Sequence, residues 1–176
     1  MSKSAARVAA MIALLVIACT TVSPAPSMAQ TNCTYTLGYW KNHPSAWPAS
    51  CLPMNLGLVS YSETDLLAIL NQPVDGNGAV ALAQQMIAAD LNICSGASPT
   101  AIASCLQQAQ TIFDAYGARK VQPVGNGPYC TSSTCLTGPA TQCLDDFNNG
   151  LSGPGHCAIA TRTTSSTWGQ VKTIYR

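Results

Sequence analysis

Eight of the nine cysteines follow a leader of the export type, and that combination constrains the fold more than any other feature. Lys3 and Arg7 supply the positive start, and Val8 to Ala18 is an apolar run too short to span a bilayer. Pro24 and Pro26 break the chain ahead of Ser27-Met28-Ala29, a small-x-small cleavage pattern. The expected mature chain is therefore residues 30–176, with 1–29 as signal peptide. Val16-Ile17-Ala18-Cys19 also fits a lipobox, so a lipid anchor on Cys19 is the alternative. Either way the sequence predicts secretion, a periplasmic location or cell-surface display, with no transmembrane segment in the mature chain.

The remaining cysteines are Cys33, Cys51, Cys94, Cys105, Cys130, Cys135, Cys143 and Cys157. An even count behind an export leader predicts a disulfide framework, whose connectivity the spacing alone does not give. A metal framework fits less well. There is no Cys-x-x-Cys pair, and His43 and His156 are the only histidines.

Without Lys3 and Arg7, six basic residues face seven acidic ones. Such a balance argues against electrostatic binding to nucleic acid or to an anionic bilayer. An unknown protein or glycan at the cell surface remains the expected kind of partner.

Helical periodicity dominates the middle of the chain. Ser62 caps a first helix, Glu63 and Asp65 suit its positive end, and Leu66, Leu67 and Leu70 form its apolar face. Gln72 to Gly78 is a turn. A second helix runs from about Ala79 to Ile93 and stops at Ser95-Gly96. A third begins at Ser98-Pro99 and presents Ile102, Cys105, Leu106, Ala109, Ile112, Phe113 and Tyr116, ending at Gly117. A fourth spans Pro139 to Asn149, with Cys143, Leu144 and Phe147 inward and Gly150 as its stop. Residues 30–60 read as ordered but irregular. Trp168, Val171 and Tyr175 share a face of a short terminal helix, or belong to a strand. Gly-Asn-Gly at 76–78 and at 125–127 lacks the lysine or carboxylates of a phosphate or calcium loop and reads as turns. The expected fold is mainly α: a small single-domain helical bundle with long disulfide-stapled loops.

The segment Cys33-Thr-Tyr-Thr-Leu-Gly-Tyr-Trp-Lys-Asn-His-Pro-Ser-Ala-Trp-Pro48 resembles the opening of a group of exported bacterial proteins that share a Gly-Tyr-Trp-Lys-Asn-His-Pro signature. The likeness continues through Leu67 to Pro73, Leu144 to Gly150 and Gly153 to Cys157. It implies a shared fold unit and an exported location, and it implies no reaction.

Two segments carry the candidate chemistry, Gly38 to Pro44 and Gly153 to Cys157. Both contain a histidine and both lie near a cysteine, and a Cys33–Cys157 bridge would tie them together. Three uses follow. His43 and His156 with Asp145 or Asp146 suit a metal ion such as zinc, although no cofactor is favoured. The same groups suit acid–base hydrolysis. Tyr39, Trp40 and Trp47, with Lys41 and Asn42, suit a platform for a sugar or peptide. Against these stands a structural use, in which the tryptophans wedge the segment onto the helices and Asn42-His43 fixes a turn before Pro44. Hydrolase, metalloprotease, nucleotide-loop and haem signatures are missing from the sequence. Asn32-Cys33-Thr34 matches a glycosylation sequon, relevant only in a eukaryotic host. The leading expectation is a secreted or cell-surface structural or interaction module. The alternative is a small extracellular hydrolase or metal-binding protein centred on His43 and His156.

Overall fold

Ser62 opens helix α2 (Glu63–Asn71) with a capping box. Its hydroxyl accepts from Asp65 N, and the Asp65 carboxylate accepts from Ser62 N. In the computed structural model, which describes residues 31–121, 127–131 and 136–158, this helix is one of five. The others are α1 (Leu37–Asn42), α3 (Gly78–Cys94), α4 (Ala103–Ala115) and α5 (Gly138–Asn148). The fold is mainly α, as the periodicity predicts.

Helix α3 is the axis of the fold. Alanines between its larger residues let neighbours approach on several sides, so Val80, Leu82, Ile87 and Leu91 are all fully buried. Helix α5 packs along it most extensively, α4 packs on α5, and α1 and α2 cover other faces. Asn77 caps α3 through its side chain, which accepts from Ala79 N and from Cys130 N. Gly78 is held to the Cys130 carbonyl. The first turn of α3 is thereby anchored to a distant loop.

The sequence boundaries need three corrections. Residues 54–61 are not irregular: β1 (Met54–Leu56) and β2 (Val59–Tyr61) form an antiparallel hairpin pairing Met54 with Tyr61. Both strands bury alternate residues, and the two-residue turn needs Gly57 at φ +63°. The third helix starts as a 3₁₀ turn (Thr100–Ile102), and its α-helical part begins at Ala103. The fourth begins one residue earlier than expected, at Gly138. Gly150 does end it, at φ +65°. The terminal segment with Trp168, Val171 and Tyr175, and the second Gly-Asn-Gly, lie outside the described residues.

All seven described cysteines are in disulfides. Cys33 joins Cys157, Cys51 joins Cys94, and Cys105 joins Cys143. The second ties the loop ahead of the hairpin to the end of α3, and the third ties α4 to α5. Cys130 is also bonded, while Cys135 lies outside the described residues. Among the described residues, no helix is long and apolar enough to cross a membrane.

Candidate functional site: an aromatic cleft between the chain's two ends

The aromatic motif splits into a buried half and an open half. Thr36 caps α1 by accepting from Tyr39 N. The two-turn helix then sends Trp40 inward, 1% exposed, and leaves Gly38, Asn42 and His43 outside. Trp40 Nε1 donates to Asn92 Oδ1, and Trp47 Nε1 donates to the Trp40 carbonyl at 2.9 Å. Both indoles thus have their polar edge satisfied within the core and offer no platform to a ligand. The wedge reading holds for them. The turn reading holds as well, since Asn42 Nδ2 donates to Gly38 O and His43 Nδ1 pairs with Tyr39 O, each at 2.8 Å. Lys41 sits in the last turn of α1, where a cation suits the helix dipole.

The open half is a stack. Tyr35 and Tyr39 lie face to face with centroids 4.0 Å apart, and His43 stacks on the other face of Tyr39 at 4.5 Å. Trp40 meets both tyrosines edge-on from below. Burial, and next the neighbouring Tyr35, hold the Tyr39 phenol above the usual tyrosine range. It is therefore a neutral hydroxyl under ordinary conditions.

The C-terminal part of the described chain runs alongside. Thr34 N donates to Gly155 O at 2.8 Å, and Cys157 N donates to Thr34 O at 3.0 Å, a parallel bridge reinforced by the Cys33–Cys157 disulfide. His156 Nδ1 also reaches Thr34 O, at 3.0 Å. Because a carbonyl can only accept, Nδ1 carries a proton. The result is a partly open cleft of about 250 Å³ lined by Tyr35, Thr36, Tyr39, His156 and Cys157. Neither tyrosine hydroxyl has a hydrogen-bond partner among the described residues.

A buried amide that sequence reasoning does not single out supports this cleft from beneath. Asn92 is fully buried on α3. Its Oδ1 accepts from Tyr35 N and Trp40 Nε1, and its Nδ2 donates to Tyr35 O and to Asn148 Oδ1. Asn148 continues the chain to Gln85, whose Nε2 donates to Asp145 Oδ1 at 2.8 Å. The one available signal was a polar residue inside an otherwise apolar stretch of helix.

That network also explains why the proposed histidine–carboxylate cluster does not form. Asp145 is spent on Gln85 at the α3–α5 interface, and Asp146 accepts from Gln142 on its own helix. His43 is stacked on Tyr39, and His156 is held to Thr34. Among the described residues, no group of three or more His, Cys, Asp or Glu is placed to hold a metal ion. His43, His156, Asp145 and Asp146 are not a metal centre in this fold. What the structure does bring together is Tyr39 with both histidine segments. The sequon is used structurally too: Asn32 Oδ1 accepts from Ser98 N, and the buried Thr34 hydroxyl donates to Gly155 O.

Comparison with protein-family models, with curated proteins and with solved structures finds no match to this chain.

Proposed function

We propose that this chain is a noncatalytic interaction module that works outside the cytoplasm, at or near the surface of the cell that exports it. Its contact surface is the Tyr35–Tyr39–His43 stack with the His156 cleft beside it. The single observation that carries the reading is the division of labour within the aromatic motif. The indoles are consumed in the core, while two phenols and two imidazoles stay accessible on a rigid base. Rigid aromatic side chains with polar tips give contact area at low entropic cost, which suits binding.

Several observations support this. Tyr35 is pinned through both backbone groups, and a disulfide closes the cleft's rear wall, so the site is preorganised. Acid–base catalysis by His156 would want a carboxylate on Nδ1; it has a backbone carbonyl. The disulfides suit an oxidising compartment. The export leader, and the likeness of the Gly-Tyr-Trp-Lys-Asn-His-Pro segment to exported bacterial proteins, support the same address.

Retention on the envelope of the exporting cells tests this reading. The oxidised protein, added from outside, should be retained, and a Tyr39→Ala/His43→Ala/His156→Ala variant with unchanged far-ultraviolet dichroism should not. Equal retention of the two proteins would remove the site from the account. Hydrolytic activity that vanishes in His156→Gln would replace binding with catalysis.

A further inference from the structure

We infer that the cleft takes an uncharged sugar ring of a glycan; this rests on the binding-module reading and gives its ligand a chemical class. The warrant is the set of hydrogen-bonding groups left over once the fold has used what it needs.

Each polar group around the cleft is partly committed. Thr36 Oγ1 accepts from Tyr39 N at 3.1 Å, which leaves its own proton to donate. His156 uses Nδ1–H on Thr34 O, which leaves Nε2 to a ligand. The Tyr35 and Tyr39 hydroxyls, unpartnered among the described residues, can each donate and accept. The remaining capacity is a mixture of donors and acceptors, with no lysine, arginine or carboxylate among the lining residues. Ligand hydroxyls, which both donate and accept, match that mixture.

Charged ligands do not. None of the five lining residues is a lysine or arginine that would compensate a carboxylate, phosphate or sulfate. None is a carboxylate that would hold an amine. Two tyrosines and a disulfide cysteine among the lining residues supply apolar surface against which the C–H faces of a sugar can lie. An extended peptide is disfavoured for a different reason. Strand addition needs free backbone groups along an edge. Here both the N–H and the carbonyl of Thr34 are already paired with the 155–157 segment. The volume of about 250 Å³, open on one side, leaves room for a ring whose chain continues into solvent.

The test uses the oxidised full-length chain on an array of neutral, acidic and sulfated glycans, with a peptide library as the comparison. The strongest neutral glycan is then titrated by calorimetry and by NMR of the tyrosine and histidine rings. Binding to a neutral glycan is expected, with shifts at Tyr35, Tyr39 and His156. Tyr35→Phe and Tyr39→Phe keep the stack and remove one hydroxyl each, so each should weaken binding about five- to tenfold without lowering Tm. If either variant fails to fold, His156→Gln should show the same loss.

Neutral-glycan binding indifferent to all three substitutions would overturn the inference. So would preference for acidic or sulfated glycans. Binding of peptides alone through these residues would sink the sugar class and leave the module reading intact. No binding of any class, together with no retention on the envelope, would remove both.

Discussion

Asn92 holds Tyr35 twice, accepting from its N–H at 2.7 Å and donating to its carbonyl at 2.9 Å. A helix at the centre of the core thus dictates the backbone position of a residue that lines the surface cleft. All of the amide's hydrogen-bonding capacity is used, and the bonds to Trp40 Nε1 and Asn148 Oδ1 are buried. Asn92→Ala should therefore leave several buried groups unsatisfied and cost about 3–5 kcal/mol. Urea unfolding would read this as a fall in midpoint at constant slope. Loss of under about 1 kcal/mol would mean that water or repacking replaces the amide.

The Cys33–Cys157 bridge closes a loop of 124 residues in sequence. On the chain-entropy view, removing it with Cys33→Ala/Cys157→Ala should cost about 4–5 kcal/mol. Thermal unfolding under nonreducing conditions measures the cost. Cleavage of only this bridge should also free the 155–157 segment from Thr34, seen as faster amide exchange at Cys157 with α3 still protected.

Asp90 lies partly buried on α3, and burial pushes its carboxyl pKa from 3.8 up to about 7. The folded chain therefore keeps a proton that the unfolded chain loses near pH 4. Between about pH 4 and 7 the native state binds more protons, so this group's contribution to stability falls as pH rises, then levels off above about 7. Asp90→Asn should remove that slope and stabilise the protein at pH 8 by up to about 4 kcal/mol. A variant with Tm unchanged at pH 8 would show that the carboxylate is solvated.

Gly150 couples the end of α5 to the cleft. It adopts φ +65°, and a Cβ there would lie 2.7 Å from His156 N. Gly150→Ala should cost about 2 kcal/mol or more and displace His156 from Thr34. The His156 ring resonances and the Tm report the two effects separately. Unchanged values for both would mean that the turn relaxes freely.

Much of the helical scaffold was legible because its signals are local. Ser62 with Asp65, Pro139 with Gly150, and the Leu66–Leu70 face each mark an element through their own chemistry. The hairpin was not legible, because strands of three residues carry too little alternation to register. In the candidate site, the two segments and their histidines stood out in the sequence. Which rings would face out did not, since a helix of six residues, Leu37–Asn42, presents too few turns to define a face. Trp40 and Trp47, open in sequence to both a platform and a wedge reading, are core as the wedge reading has it, while Tyr35 carries no signal that singles it out. Asp145 and Asp146 stand as candidate partners of the histidines in sequence because Gln85 and Gln142, which they accept from, look like ordinary surface residues there.

Nuclear Overhauser contacts between the Cys157 N–H and the Thr34 backbone, in the oxidised protein, bear most directly on whether the two segments build one site. Cross-peaks should be present in the native chain and lost in Cys33→Ala/Cys157→Ala. A Cys157 N–H with no contact to Thr34, in a folded protein with the bridge intact, would contradict the account.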